Sequence, residues 1–140
     1  MRVVIDTNVL VSACLGDGAP AGVVRACLRG SVEPVVGSAL FSEYEEVLGR
    51  EALFRRSRLD LGERQELLDI FLSRCTWVRV YFGWRPNLVD EADNHLVELA
   101  VAAQAGAIVT GNTRHLRAGE LQFPGIKILD PATFMSELNR

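Results

Sequence analysis

The sequence predicts a three-layer α/β/α fold with a mostly parallel central sheet of about five strands. Short apolar runs alternate with segments of helical hydrophobic spacing along the whole chain, which is typical of parallel strands joined by helices. Glycine and proline separate these segments, and no internal repeat, low-complexity tract or linker interrupts them. The chain has 140 residues, which predicts a single domain over residues 1–140 with a buried core.

Five segments have the character of strands. The first is a short apolar run that ends at Asp6, and the third alternates polar and apolar side chains and is rich in β-forming residues. Pro34 lacks an N–H donor and is therefore expected to weaken the second strand or to place it near an edge of the sheet. The predicted strands cover residues 2–6, 32–36, 76–81, 107–110 and 126–129.

Five further segments have the apolar spacing of amphipathic helices. Ser38 and Asp90 are expected to N-cap two of them, because their side-chain oxygens can accept hydrogen bonds from the first backbone N–H groups. Asp130 followed by Pro131 predicts the beginning of the last helix. The predicted helices cover residues 20–30, 38–48, 63–75, 90–106 and 130–138.

Composition excludes several classes of protein. Hydrophobic residues make up 49% of the chain and charged residues 24%, which is a globular and not a disordered composition. Cys14, Cys27 and Cys75 are odd in number and lack CxxC spacing, which predicts reduced thiols and neither a disulfide framework nor a zinc site. Neither a signal peptide nor a membrane-spanning apolar run is visible, so the sequence favours a cytoplasmic protein that does not interact with a membrane.

The net charge of −3 means that the protein as a whole is not a polycation that nucleic acid would attract. Lys127 is the only lysine among the 15 basic residues, and the others are arginines, which can bind phosphate through two N–H groups at once. One arginine cluster either binds phosphate or forms a solvated surface with ordinary ion pairs, and both interpretations remain open. The cluster consists of Arg50, Arg55, Arg56, Arg58 and Arg64.

Polar side chains follow two of the predicted strands at the point where each strand ends. Asp6, Thr7 and Asn8 follow the first strand, and the Thr110–Asn112 segment follows the fourth. In open α/β sheets functional groups collect beyond the carboxyl ends of the strands. Asp93 precedes the fourth strand within one short α–β unit, so it can reach the same crevice. Each acid also has an ordinary structural explanation, as an N-cap for Asp6 and as a capping-box acid for Asp93.

Glu43 is a further candidate acid, but Glu45 and Glu46 lie beside it and spacing alone cannot choose among the three. Carboxylates that are brought close together raise each other's pKa unless a positive charge lies between them. A hard divalent cation satisfies this requirement, because it prefers oxygen ligands and can stabilise the charge that develops on a phosphodiester.

Several segments together carry a resemblance to a known family. The first and third of them are specific in this order and at this separation, and the four together cover nearly the whole chain. The chain resembles the PIN domain nucleases, and among them the VapC-like toxins of toxin–antitoxin pairs. The matching segments are VVIDTNVLVSA at 3–13, SALFSEYEEVL at 38–48, VDEADNHLVELAVAAQAGAIVTGN at 89–112 and LDPATFMSEL at 129–138.

The resemblance implies an endoribonuclease that uses Mg²⁺ or Mn²⁺ to hydrolyse RNA. It implies that Asp6, Glu43 and Asp93 bind the metal and that Asn112 occupies a catalytic position where many relatives have a fourth acid. Because asparagine offers a neutral oxygen, a second metal would be held more weakly there. The polar residues implied to support these ligands are Thr7, Asn8, Ser38, Asp90 and Thr110.

The resemblance also implies partners: an RNA substrate, a small antitoxin protein and a second copy of the chain in a homodimer. The phosphate backbone of RNA would be held by basic side chains, which position a substrate without reading its sequence. His115 is better explained as a surface residue on a short turn. The candidate RNA contacts are Arg50, Arg55, Arg56, Arg58, Arg114, His115 and Arg117, and the candidate interface residues, each also a candidate for the core, are Phe54, Leu59, Trp77 and Trp84.

Two other classes of protein fit the residues around Asp6 less well than a nuclease does. A haloacid-dehalogenase-type phosphatase needs a second aspartate two residues after the first, where this chain has Asn8, and a catalytic lysine, whereas Lys127 lies in a predicted strand. A receiver domain needs an acidic pair before Asp6, which is lacking. Two alternatives remain open: a PIN fold that has lost catalysis and serves as an RNA-binding or scaffold module, which Asn112 favours, and a housekeeping RNA-processing nuclease.

Overall fold

A computed structural model of the chain describes residues 1–80, 94–117, 120 and 123–140. Five strands in these ranges form one sheet, and every pair of neighbouring strands is parallel. Numbered along the chain, the strands are β1 (Arg2–Ile5), β2 (Glu33–Val36), β3 (Thr76–Trp77), β4 (Ala107–Val109) and β5 (Lys127–Leu129). Their order across the sheet is β3-β2-β1-β4-β5, so β1 lies in the centre.

The central strand β1 is apolar because it is covered on both faces and paired on both edges. Val3, Val4 and Ile5 are 0% exposed. β1 pairs with β2 on one side and with β4 on the other, where Ile5 lies opposite Val109. The carboxyl ends of β1 and β4 are therefore neighbours at one edge of the sheet, where α/β proteins place their functional groups.

Helices connect the strands and cover the sheet. The first four lie in the connections that lead from β1 outward to β3, and the fifth lies in the return to β4. The connections from β1 to β3 and the return from β3 to β4 run in opposite directions across the sheet. Right-handed crossovers of this kind place their helices on opposite faces of the sheet, as in the predicted three-layer α/β/α fold, which is confirmed. The helices are α1 (Thr7–Leu15), α2 (Ala19–Leu28), α3 (Ser38–Leu48), α4 (Leu61–Arg74), α5 (Asn94–Ala102) and α6 (Pro131–Leu138), with short 3₁₀ helices at Glu51–Phe54 and Thr113–Leu116.

Two helix beginnings test the predicted caps. The carboxylate of Asp130 accepts a hydrogen bond of 2.7 Å from the backbone N–H of Thr133, as expected for the N-cap of α6. The prediction for α3 was wrong by one residue, since Gly37 is its N-cap and Ser38 is already helical. The backbone of Gly37 is still extended as it leaves β2, and a Cβ atom there would lie only 3.2 Å from the carbonyl oxygen of Val78. Asp90 lies outside the described residues.

The structure also bears on three other sequence-based expectations. The strand predicted over 76–81 pairs only at Thr76 and Trp77, and Tyr81 lies outside the described residues. Pro34 is not in an edge strand, but β3 pairs only with the two residues that follow it, so Pro34 has a partner strand on one side alone. No element was predicted for residues 7–15, because β-branched residues weaken the helical pattern of the segment that forms α1.

The cysteines and the candidate interface residues occupy different environments. Cys14 and Cys27 are buried free thiols, and burial raises the pKa of Cys27 to about 12. Phe54 is only 4% exposed and belongs to the core, whereas Trp77 is 54% exposed and packs against Phe41 with ring centroids 5.3 Å apart. Leu59 is partly buried against the core, and Trp84 lies outside the described residues.

Within the described ranges, no single helix is both long and apolar enough to cross a bilayer. Only α1 and α2 taken together reach that length and composition, and they are bent by 107° relative to each other.

Candidate active site

The adjacency of β1 and β4 brings Asp6 and Thr110 into contact. The backbone N–H of Asp6 donates to the carbonyl oxygen of Val109 at 2.9 Å, which continues the ladder by one residue beyond β1. The hydroxyl of Thr110 donates to Oδ2 of Asp6 at 2.7 Å. Both side chains are buried, with 7% and 0% exposure respectively. The acid is thus held at the end of the sheet by a neighbouring strand 104 positions away in the chain.

The two polar segments after β1 and β4 are linked by further hydrogen bonds. Asn8 donates through Nδ2 to Oδ2 of Asp6 at 3.3 Å and accepts through Oδ1 from the backbone N–H of Gly111 at 3.0 Å. The backbone N–H of Asn112 donates to the hydroxyl of Thr110 at 3.0 Å. Two of the residues predicted as polar supports, Asn8 and Thr110, therefore hydrogen-bond to the carboxylate of Asp6.

Glu43 reaches the same site from α3. Its Oε1 accepts a hydrogen bond from the hydroxyl of Thr7, and its Oε2 lies 3.1 Å from Nε2 of His95 on α5. The neighbouring Glu45 and Glu46 are exposed on another face of α3, where Glu46 forms an ion pair with Arg50. The structure therefore selects Glu43 among three adjacent acids, a choice that spacing could not make.

Tyr44 holds α3 against the end of β1. Its side chain is 0% exposed and its hydroxyl donates to the carbonyl oxygen of Ile5, the residue before Asp6. Its ring packs edge-on against Phe71 of α4, with ring centroids 5.9 Å apart. Glu43 precedes Tyr44 in the helix, so this anchor holds the part of α3 that carries Glu43 against the end of β1.

The two carboxyl groups have opposite electrostatic environments. Burial raises the pKa of Asp6 above its ordinary value, and the negative charge of Glu43 adds to this effect, while the hydrogen bond from Thr110 opposes it. The hydrogen bond with His95 lowers the pKa of Glu43, and the one from Thr7 acts in the same direction against partial burial. Asp6 is thus the group whose ionisation gains most from a nearby cation.

An open cleft of about 390 Å³ contains both carboxyl groups. Asn112 lies in the same cleft, and its Nδ2 is 3.2 Å from Nδ1 of His115 on the following 3₁₀ helix. Three of the four predicted catalytic residues therefore share one cavity. The lining residues are Asp6, Thr7, Asn8, Val11, Glu43, Val47, Leu53, Asn112 and His115.

A sequence model described as the PIN domain matches residues 2–114, which is most of the chain and includes both polar segments and Glu43. The chain belongs to the PIN domain family. Members of this family are nucleases, which cleave phosphodiester bonds by hydrolysis. No match was found among curated protein sequences.

Solved structures support the PIN domain fold. The chain is similar to a protein in the structure of VapBC2 from Rickettsia felis bound to a DNA fragment from its promoter, with a TM-score of 0.60, 17% identity and coverage of 93% of this chain and 98% of that one. It is similar to PAE2754 from Pyrobaculum aerophilum, with a TM-score of 0.59, 16% identity and coverage of 99% and 90%. It is also similar to a protein in the structure of FitAB bound to an IR36 DNA fragment, with a TM-score of 0.56, 14% identity and coverage of 92% and 94%.

The donor atoms of this PIN domain cleft suit a hard divalent cation. Asp6 and Glu43 supply carboxylate oxygens and Asn112 supplies an amide oxygen, the ligand types that Mg²⁺ and Mn²⁺ prefer. Among residues 1–80, 94–117 and 123–140 there is no group of three or more acids, histidines or cysteines that could hold a metal. Asp93, the predicted third carboxylate, lies outside those residues.

Other predicted residues of the PIN domain do not line the acid cleft. Ser38 lines a separate cavity of about 190 Å³ that His95 and Leu99 also border. Arg56 and Arg58 line a third cavity, next to Cys14. The remaining candidate cations are Arg55, Arg114 and Arg117, which are exposed, and Arg50, which is paired with Glu46.

Sequence reasoning missed two residues of the site and misjudged a third. The predictions did not assign His95 or Tyr44 to the site. Tyr44 directly follows the candidate acid Glu43, and His95 lies two positions after the candidate acid Asp93, so closeness in sequence to a candidate acid was the available signal. Arg64 belongs to the arginine cluster for which phosphate binding and a solvated surface were the two interpretations, but it is 1% exposed. Its guanidinium lies 4.3 Å from the ring centroid of Phe54 and donates to backbone carbonyl oxygens, so it is a structural residue of the PIN domain.

Proposed function

We propose that this PIN domain is a Mg²⁺- or Mn²⁺-dependent endoribonuclease and the toxin component of a toxin–antitoxin pair. The observation that carries the proposal is the convergence of Asp6 and Glu43 in one cleft beside Asn112. Two carboxylates at the end of a parallel sheet, one of them buried and resisting ionisation, are arranged to receive a cation.

In this proposal Asp6, Glu43 and Asp93 hold the ion. When bound, it supplies Lewis acidity and positive charge where a phosphodiester develops negative charge. Thr110 and Asn8 keep the Asp6 carboxylate in place, and Thr7 and His95 do the same for Glu43. Such supporting hydrogen bonds orient ligands before the substrate arrives.

Asn112 favours a site for one ion over a site for two. Its amide is neutral, so it adds an oxygen donor without the charge that a second divalent ion would require. The amide also lies against His115, which belongs to the 3₁₀ helix that carries the exposed Arg114. We assign these two basic residues and Arg117 to the phosphate backbone of the substrate, where they position RNA without reading its sequence.

Cleavage of labelled RNA tests the enzymatic part of the proposal. We expect cleavage by the wild type with Mg²⁺ or Mn²⁺ that stops on chelation and falls at least about 100-fold in Asp6→Asn, Glu43→Gln and Asp93→Asn. Glu45→Gln is the matched control, because it removes an exposed acid two positions from Glu43 on the same helix. Equal cleavage by Asp93→Asn and the wild type would show that Asp93 is not part of the site.

Binding of Mn²⁺ separates the enzyme from the scaffold alternative. Calorimetric titration should give binding that disappears in Asp6→Ala. A wild type that binds RNA but neither binds Mn²⁺ nor cleaves would support the scaffold, and the enzymatic proposal would be wrong.

The toxin assignment rests on similarity to proteins in the VapBC2 and FitAB structures, both of which contain DNA. We propose a small antitoxin protein as partner and a homodimer as the form in solution. Induced expression should arrest bacterial growth, and co-expression of a small protein encoded beside this chain should relieve the arrest. Normal growth on expression of an enzyme that is active in vitro would favour the RNA-processing role. Light scattering on the purified chain tests the dimer.

A further inference from the structure

The acid cleft changes from polar to aliphatic within one helical turn. Val11 follows Thr7 by four positions on α1, and Val47 follows Glu43 by four positions on α3. Residues four apart lie on the same face of a helix about 6 Å from each other along its axis. Both valines line the cleft, as does Leu53 on the first 3₁₀ helix. The cleft therefore has an aliphatic wall, formed by Val11, Val47 and Leu53, and its two valines lie about one helical turn from Thr7 and Glu43.

Leu53 is the exposed part of this wall. It is 43% exposed, whereas the next residue, Phe54, is 4% exposed and belongs to the core. Leaving a leucine in water gives up the stabilisation that its burial would provide. A single exposed leucine is ordinary on a protein surface, but this one lies beside the two carboxylates of a nuclease cleft.

The segment that carries Leu53 is held in place by the buried Arg64. Nε of Arg64 donates to the carbonyl oxygen of Leu48 at 2.9 Å, and Nη1 donates to that of Leu59 at 3.1 Å. Nη2 donates to the side chain of Glu51, and the guanidinium stacks on Phe54. One side chain thus contacts both ends and the middle of the segment between α3 and α4.

A second anchor joins this segment to α1. The hydroxyl of Ser57 donates to the carbonyl oxygen of Cys14 at 2.9 Å. The segment is therefore attached to α1 as well as to the ends of α3 and α4, and the position of Leu53 relative to the acids is set before any ligand binds. A preorganised contact of this kind costs little conformational entropy on binding.

We propose that this aliphatic wall is the subsite for an unpaired nucleobase next to the cleaved phosphate. The inference rests on the proposed ribonuclease function and adds to it a contact between these three side chains and one base of the substrate. A base in a duplex is stacked and paired, so its face is not available to a protein wall, whereas an unpaired base can lie against an apolar side chain. The three wall side chains have no hydrogen-bonding groups, so this subsite selects an exposed base without reading its identity.

The test uses a single-stranded RNA that the wild type cleaves, with an abasic nucleotide placed in turn on either side of the cleaved bond. For Leu53→Ala we expect kcat/KM on intact RNA to fall about five- to tenfold, because the substitution removes aliphatic surface that the base would cover. The wild type should cleave the intact RNA faster than one of the abasic forms, and Leu53→Ala should lose most of this difference. Leu61→Ala is the matched control, because Leu61 is 40% exposed but lies outside the cleft.

Each outcome has a defined meaning. Equal cleavage of intact RNA by Leu53→Ala and the wild type would show that the aliphatic wall is not a base subsite. An equal loss on intact and abasic RNA would also overturn it, because the effect would then be structural; thermal unfolding of all variants checks this directly. Absence of cleavage of every RNA by the wild type would contradict the proposed function itself. Cleavage that Asp6→Asn abolishes and Leu53→Ala leaves unchanged would contradict only the subsite.

Discussion

The hydroxyl of Thr110 joins the two polar segments of the site, and its removal tests the stated geometry. Thr110 is 0% exposed, donates to Oδ2 of Asp6 at 2.7 Å and accepts from the backbone N–H of Asn112 at 3.0 Å. Thr110→Val keeps nearly the same shape and removes both hydrogen bonds. The buried carboxylate of Asp6 then loses its shortest side-chain hydrogen bond.

The magnitude of the effect follows from these two contacts. A hydrogen bond to a charged group contributes about 1.5–3 kcal/mol, and a neutral one about 0.5–1.5 kcal/mol. Asn112 is exposed, so water replaces part of the second bond. We expect Thr110→Val to lower the free energy of unfolding by about 2–4 kcal/mol. In a domain of this size that corresponds to a fall in Tm of roughly 6–12 °C.

Urea unfolding at pH 7 with chelator measures this loss in two backgrounds. In Asp6→Asn the charge is absent, so the cost of Thr110→Val should be smaller by about 1 kcal/mol or more. Thr110→Ser is the control that keeps the hydroxyl and should cost only the loss of one buried methyl group, about 1 kcal/mol. A valine variant as stable as the wild type, or an identical loss in both backgrounds, would refute the charge-assisted bond to Asp6.

Three further predictions concern the same framework. Burial raises the pKa of Asp6 in the folded protein above its ordinary value of 3.8. The free energy of unfolding therefore falls as pH rises from about 3.8 through the folded-state pKa, because the folded protein ionises Asp6 less readily than the unfolded chain does. Asp6→Asn should therefore stabilise the metal-free protein at pH 7, with a gain in urea unfolding that shrinks towards pH 4. Tyr44→Phe removes the buried hydrogen bond to the carbonyl oxygen of Ile5 and should cost about 1–2 kcal/mol in the same assay. Arg64→Met keeps the aliphatic stem but removes the hydrogen bonds to two carbonyl oxygens and should cost about 2–4 kcal/mol. Its control is Arg74→Met at the exposed end of the same helix, which should change stability by less than about 0.5 kcal/mol.

The results that would contradict these expectations are specific. A pH-independent gain in Asp6→Asn would mean that the aspartate charge is not the destabilising factor. Unchanged stability in Tyr44→Phe would mean that α3 is held to β1 by packing alone. An Arg64→Met variant that is no less stable than Arg74→Met would show that Arg64 does not anchor the segment that carries Leu53.

Several features follow from the sequence alone, because local chemistry determines them. The apolar run of β1, the beginning of α6 at Asp130 and Pro131 and the alternation of strands with helices depend on neighbouring residues, and all were predicted. The two polar segments after β1 and β4 were also predicted to converge, since parallel strands end at the same edge of a sheet. The boundary at Gly37 was not, because it depends on the close approach of Val78.

Spacing in the sequence leaves three candidate acids on α3, and the tertiary structure decides which of them joins Asp6 and what holds it. Glu43, Glu45 and Glu46 have the same chemistry, and the choice depends on which face of α3 meets Thr7 and His95, which are 36 and 52 positions away. The burial of Arg64 is likewise invisible in the sequence, where it resembles its exposed neighbours. Local patterns specify elements through short-range sterics and hydrogen bonding, whereas the partner of a side chain depends on how those elements pack.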